Sequence, residues 1–348
     1  VSTTIDVFYT NAEGSLVTPE KLPFGKGYSI VEVQAPYGYV LDETPVYFDV
    51  TEDNSTEESG VTVVKVDKPN MAQKGTITVE KTGEVFFGVS VIGGVDESGN
   101  ELPAIYQPQY EKRGLPGAVY EIIAAEDIIT PDGTVRNQKG NVVDTVTTDG
   151  NGTAVSRELY LGKYEVREIT APHGMVLNPE PHCVELVYAG QNVAVTETAT
   201  SFENERQKVE ISLVKSIEQN ERFGIGTNGE MKNISFAVVI RAFSFVIVLR
   251  DIEVHLNEDG TAKIKTDLPF GSYYVQELAT DSHYKLSDTK YPVTFGYASQ
   301  DTAVVKIAVN GGNAVENKLI YGSVSGKKID ENGDSLGYCP YRPQRSLR

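Results

Sequence analysis

The chain has 348 residues, with 31 Lys plus Arg against 49 Asp plus Glu and a net charge of −18. That balance argues against a nucleic-acid partner, which needs a basic face, and the longest apolar run, FAVVIRAFSFVIVL (236–249), is interrupted by Arg241 and too short to insert in a membrane. Two cysteines, Cys183 and Cys339, make no disulfide framework, and the start does not read as a signal peptide.

Runs rich in Val, Ile, Thr and Tyr, separated by Gly, Asn, Asp and Pro clusters, recur from one end to the other, so the expected class is all-β. Taken in chain order, the first recognisable element is GYSIVEVQAPYGYVL, and it returns as KYEVREITAPHGMVL and SYYVQELATDSHYKL. In each copy a Tyr precedes a Glu by four positions: Tyr28 and Glu32, Tyr164 and Glu168, Tyr273 and Glu277. A Leu follows each Glu nine positions on, at Leu41, Leu177 and Leu286.

A second element lies between those blocks. NMAQKGTITVEK, NERQKVEISLVK and NKLIYGSVSGKK each set an Asn eleven positions before a Lys: Asn70 and Lys81, Asn204 and Lys215, Asn317 and Lys328. The repeating unit therefore reads Lys, Glu, Asn, and the Asn of one unit lies just ahead of the Lys of the next. Such internal repetition points to tandem domains. The expected division is a partial domain at 1–73, complete domains at 74–206 and 207–319, and a stub at 320–348 with an atypical tail. The two complete units are each of a size for one β-sandwich.

Alternation of side chains along a strand decides which way these residues point. Tyr164, Val166 and Glu168 share a face, as do Tyr273, Val275 and Glu277, and Tyr28, Ile30 and Glu32. Lys81 falls in with Ile77 and Val79, Lys215 with Ile211 and Leu213, Asn204 with Phe202, and Asn317 with Val315. Each unit thus aims a Lys, a Glu and an Asn at its apolar interior. An ionisable group there is costly unless paired. A surface Lys or Glu at a strand end, or a buried ion pair, accounts for any one of them. The recurring triplet points further. Desolvation lowers a lysine's pKa and raises a carboxyl's. A neutral amine is a nucleophile, and a carboxyl bonded to an Asn amide can polarise it and shuttle protons. The product is a Lys–Asn isopeptide bond with loss of ammonia, assisted by preorganisation on rigid strands.

On the motifs GKYEVREITAPHGMVL, FENERQKVEISLVK and GSVSGKKIDENG, the chain resembles the CnaB/SpaA-type domains of Gram-positive surface adhesins and pilins, over nearly its whole length to residue 336. The resemblance implies tandem transthyretin-like (prealbumin-like, inverse-Ig) β-sandwiches, with Lys in the first strand, Asn or Asp in the last, and a Glu in a middle strand that promotes spontaneous bond formation. Carried over, the triads are Lys81/Glu168/Asn204 and Lys215/Glu277/Asn317. Glu32 and Asn70 form an incomplete unit, since no Lys precedes Lys21, and Lys328 belongs to another. Asn70 follows Pro69, and Asp67 is a rival acceptor. The third unit has FAVVIRAFSF where the second has GAVYEIIAAED, and GYCPYRPQRSLR is unlike the family. There is no LPxTG signal or YPK-type motif; the two LPFG sites (22–25, 268–271) read as turns. The chain reads as an internal piece of a longer surface protein, outside the cell.

Other chemistry finds little support. His173, His182, His255 and His283 lack paired metal-ligand spacing. DESGN, NEDGT and DENGD lack the regular ligand spacing of an EF-hand and fit hairpin turns better than calcium loops. No phosphate loop or nucleophile elbow is present, so neither a cofactor nor a turnover enzyme is expected. The alternative reading is an adhesin module gripping a host matrix protein or glycan through surface loops, although the chain has no Trp to offer a sugar.

Overall fold

The computed structural model describes residues 3–51, 63–95, 101–242, 245–337 and 340; Cys339, most of the atypical tail and the DESGN segment (96–100) lie outside the described residues. Among those described, strands dominate and the helical pieces are three short 3-10 turns. Among the described residues no helix is long and apolar enough to cross a membrane. Two compact units divide at Arg206/Gln207: the first holds 1–85 and 111–206, the second 86–110 and 207–348.

The first unit opens with β1 (Gly25–Ile30) antiparallel to β3 (Val46–Val50), and β2 (Tyr39–Val40) antiparallel to β4 (Met71–Ala72). Next come β5 (Lys74–Val95) and β6 (Glu101–Gly114), which pair; their residues 86–95 and 101–110 are counted with the second unit. They are followed by β7 (Val119–Ala124), the small hairpin β8 (Ile128–Ile129) with β9 (Val135–Asn137), and β10 (Val142–Thr147). The unit closes with β11 (Thr153–Val155), β12 (Leu159–Tyr160), β13 (Gly162–Thr170), β14 (His182–Leu186) and β15 (Val195–Asn204).

Two sheets result. One runs β10-β7-β13-β14; the other has β11 and β12 antiparallel to successive parts of β5, with β15 parallel to β5. Alternation along each strand turns one apolar set inward. Ile77 and Val79 of β5 thereby meet Tyr120, Ile122, Tyr164 and Val166 of the facing sheet in a single core.

The second unit repeats the plan. β16 (Lys208–Ile217), β19 (Thr261–Thr266), β22 (Val304–Ala308) and β23 (Val315–Asn317) form one sheet system, and β17 (Ser235–Ala242), β18 (Phe245–His255), β20 (Gly271–Ala279) and β21 (Tyr291–Phe295) the other. Of FAVVIRAFSF, residues 236–242 lie on β17 and Phe245 opens β18, and Phe236 and Val238 pack in the core with Ile211, Leu213 and Val275. The last strand is broken where β15 is continuous. The 3-10 turn Val309–Gly312 separates β22 from β23, with Asn310 and Gly311 at φ 55° and 62°. Asn and Gly tolerate that left-handed geometry best.

The break leaves the register at the site unchanged. Lys81 pairs with Phe202, two before Asn204, and Lys215 pairs with Val315, two before Asn317.

A buried glutamine leads into each first strand. Gln73 Nε2 donates to the carbonyls of Gly190 (2.9 Å) and Val193 (2.5 Å), and its Oε1 accepts from Ala189 N–H at 2.9 Å. Gln207 does the same with Ser299 (2.5 Å), Thr302 (2.8 Å) and Ala298 (3.2 Å). Each glutamine pins the loop that precedes the Asn-bearing strand.

Candidate functional site

In the first complete site β5 delivers Lys81, β13 delivers Glu168 and the end of β15 delivers Asn204. All three are buried, and the Lys81 and Glu168 side chains are wholly enclosed. The Lys81 amine contacts Asn204 Oδ1 and lies 2.9 Å from Glu168 Oε1. Asn204 Nδ2 donates to both Glu168 oxygens at 3.0 Å. Asn178 N–H, ten residues beyond the Glu, holds Glu168 Oε2 at 2.9 Å. The rings of Phe202 and Tyr120 stand 5.8 and 5.9 Å from the amine. Burial pulls the Lys81 amine below its ordinary range, while the Glu168 hydrogen bond and charge act against that shift. The same burial, then the Glu168 charge, pushes the Tyr120 hydroxyl up, so it stays protonated.

The second site is built alike. Lys215 Nζ lies 2.6 Å from Asn317 Oδ1 and 3.0 Å from Glu277 Oε1. Asn317 Nδ2 donates to Glu277 Oε1 at 2.8 Å and to Thr280 Oγ1 at 2.9 Å. Ser287 N–H holds Glu277 Oε2 at 2.8 Å. Desolvation lowers the Lys215 pKa in the same direction. Phe236 stands opposite Glu277 on the neighbouring strand, where Tyr120 stands opposite Glu168, so this carboxylate lacks the phenolic neighbour.

Glu32 and Asn70 also meet. Asn70 Nδ2 donates to Glu32 Oε2 at 2.7 Å, and Asp42 N–H holds the same oxygen at 3.0 Å. The pair is half-buried, and among the described residues no lysine amine bonds to it. Lys68, nearby in sequence, is occupied by Asp42 at 2.7 Å and the Thr44 carbonyl at 2.7 Å. The rival acceptor Asp67 is exposed. Lys328 is exposed and joins none of these groups.

The sequence reading missed two supporting features. One is the backbone donor ten residues past each Glu, at Asp42, Asn178 and Ser287. Its signal was the repeated Leu just before it. The other is a turn glycine clamped to each buried lysine: Lys81 N–H donates to the Gly152 carbonyl, and Lys215 N–H to that of Gly260. The shared Gly-Thr after an acidic turn was the trace of it.

The remaining candidates occupy ordinary structural roles. His182 stacks on Phe202 and its Nδ1 meets Thr200 Oγ1 at 2.8 Å, with Cys183 exposed beside it. In NEDGT and DENGD, Asp259 and Asp330 spend their carboxylates on turn N–H groups. Among the described residues no group of His, Cys, Asp and Glu is arranged to hold a metal.

Chemically, each complete site sets an amine against an amide carbonyl, with one carboxylate touching both the amine and the amide nitrogen. That is the arrangement for amide exchange between two side chains.

Comparison with known proteins adds a family. The profile of the SpaA prealbumin-like fold domain matches residues 2–65, 107–200 and 225–312, more than half of the chain. The trypsin-resistant surface T6 protein of Streptococcus pyogenes serotype M6 is 30% identical over 76 residues, which span 21% of this chain and 14% of that protein. Among solved structures, the Bacillus anthracis TIE protein matches with a TM-score of 0.44 and 19% identity, covering 77% of this chain and 41% of the other. The minor pilin GBS52 of Streptococcus agalactiae matches with a TM-score of 0.24 and 14% identity, covering 73% of this chain and all of the other.

Proposed function

The chain belongs to the family of SpaA prealbumin-like fold domains, and from that premise we propose that it is a structural segment of a Gram-positive cell-surface protein whose domains lock themselves with Lys–Asn isopeptide bonds. The observation that carries this reading is the enclosed Lys–Glu–Asn cluster, present twice with matching distances. An ordinary buried ion pair needs no amide wedged against both of its charges.

The reaction uses what the site holds. In its neutral form the Lys81 amine attacks Asn204 Cγ, forming a C–N bond. Glu168 Oε1 is 2.9 Å from the amine and 3.0 Å from the amide nitrogen, so one carboxyl reaches both the source and the destination of the proton. The proton passes to Nδ2, the old C–N bond breaks and ammonia leaves. Glu277 serves Lys215 and Asn317 in the same way. Each domain acts once, on itself.

The consequence is mechanical. The two bonds close loops between residues 123 and 102 positions apart. By the chain-entropy treatment of cross-links, each closure stabilises its domain by about 4–5 kcal/mol. That is comparable to the whole stability of many domains, about 5–15 kcal/mol.

Intact mass tests it. The purified chain should be two ammonias lighter than its sequence, with Glu168→Ala restoring one and Glu277→Ala the other. A full-mass wild-type chain, or a deficit that survives both substitutions, would overturn the assignment.

A further inference from the structure

The two complete sites differ at the group that touches the amide nitrogen. Asn317 Nδ2 carries two N–H bonds and divides them, one to Glu277 Oε1 at 2.8 Å and one to Thr280 Oγ1 at 2.9 Å. Asn204 Nδ2 instead lies 3.0 Å from both oxygens of Glu168. Ala171, which follows Glu168 by three residues as Thr280 follows Glu277, has no hydroxyl. The first site carries a hydroxyl at Tyr120, 3.5 Å from Glu168 Oε1, where the second has Phe236.

Strand alternation alone would aim Thr280 away from the cluster, since it stands an odd number of residues from Glu277. A bulge reverses that. Glu277 pairs with Phe236 and Ala279 with the adjacent Ser235, so β20 spends an extra residue between them. Bulges re-aim the side chains beside them and are common next to active sites. The same irregularity follows Glu168 in β13, where Thr170 pairs with Val119. Both domains therefore build the position, and the second fills it with a hydroxyl. Thr280 is half-buried, at the rim of a cluster in which Lys215, Glu277 and Asn317 are all buried.

We propose that Thr280 is a catalytic residue of the second site, its hydroxyl holding the amide nitrogen that leaves. Its role rests on the Lys–Glu–Asn reading above. Before reaction, Thr280 and Glu277 take the two N–H groups of Asn317 and so turn Oδ1 toward Lys215 Nζ, 2.6 Å away. The amine then bonds to Cγ, Glu277 carries a proton from Nζ to Nδ2, the Cγ–Nδ2 bond breaks and ammonia departs. Thr280 neither gains nor loses a proton. Its oxygen accepts from Nδ2 throughout, and that hydrogen bond strengthens when the nitrogen becomes positively charged on protonation. An interaction stronger at that stage than in the resting cluster raises the rate. The nitrogen it holds is absent from the product, so this contact does nothing for the finished domain.

The test uses the whole chain, recovered unfolded and at full mass from inclusion bodies, then refolded and sampled over time. Digestion and peptide mass follow the Lys215–Asn317 and Lys81–Asn204 cross-links separately, and the second serves as a clock within the same molecules. Thr280→Val, which keeps the shape and removes the hydroxyl, should slow the Lys215–Asn317 link about tenfold, the worth of one hydrogen bond to a charged group. The Lys81–Asn204 rate should not change. Thr280→Ser should keep the wild-type rate, and the finished Thr280→Val domain should melt with the wild type. Equal rates in wild type and Thr280→Val, with both links formed, overturn this inference and leave the proposed function standing. Thr280→Ser as slow as Thr280→Val, or a finished Thr280→Val domain that melts early, assigns the residue to packing and also overturns it. A wild-type chain that forms neither link overturns the proposed function and this inference with it.

Discussion

The backbone amide of Lys81 donates to the carbonyl of Gly152 at 2.7 Å, fixing the root of this buried lysine to a tight turn. Gly152 adopts φ +80°, and a Cβ there would meet the Lys81 carbonyl oxygen at 2.4 Å and Leu115 N at 2.5 Å. Gly260 stands the same way to Lys215, at φ +79° and 2.3 Å. Both the backbone conformation and the space therefore demand glycine.

Gly152→Ala should destabilise its domain by about 1–2 kcal/mol from the left-handed backbone alone. It should also slow ammonia loss from that domain, because the intruding methyl displaces the Lys81 backbone. Gly150→Ala, with nothing within 4 Å of its Cβ, is the control. Time-resolved intact mass after refolding separates the two. Equal rates in both variants would show that the turn does not position the lysine.

Asn204→Ala isolates the covalent contribution. It removes the acceptor and leaves the Lys81–Glu168 pair in place. The domain should lose about 4–5 kcal/mol, the loop-closure term, read as a lower denaturation midpoint. A loss under 1 kcal/mol would mean that no tie exists in the native protein.

The pH dependence follows from the lowered Lys81 pKa. Between that folded-state value and the unfolded 10.5, the unfolded chain binds more protons, so the uncross-linked domain gains stability as pH rises through this window. The bond-forming rate should climb with pH as the buried amine loses its proton, then level off below 10.5. Chain refolded from denaturant at a series of pH values, quenched and weighed, gives the profile. A rate that keeps rising through 10.5 would place the amine in water instead.

The sequence made the site legible because period-two alternation converts spacing into facing. Ile77, Val79 and Lys81 had to share a side, and three inward polar residues at matched intervals left few other partners. The all-β class and the sandwich were legible for the same reason. The long paired strands β5 and β6 were not: among the described residues only the domain that carries Lys81 has them, so repetition gave no guide. The break between β22 and β23 was hidden too, because the Val-Asn-Gly-Gly-Asn turn bulges out and returns Asn317 to the same register. Thr280, bonded to the Asn317 amide nitrogen, stands where the other complete site has Ala171, and no interval in the sequence flags that difference.

Gln207 makes the last case. It is 1% exposed, and its side chain satisfies two carbonyls and one N–H of the loop at 298–302. Gln207→Ala leaves those groups without partners, at a cost of about 1–3 kcal/mol for a stranded buried group. Gln207→Glu should be worse, since an acceptor then faces the Ser299 and Thr302 carbonyl oxygens. Both substitutions leave Lys215, Glu277 and Asn317 untouched, so the mass deficit of the domain should persist while its melting temperature falls in the order wild type, Ala, Glu. Calorimetry with intact mass on the same samples checks it; Glu matching wild type would mean the loop draws its order from elsewhere.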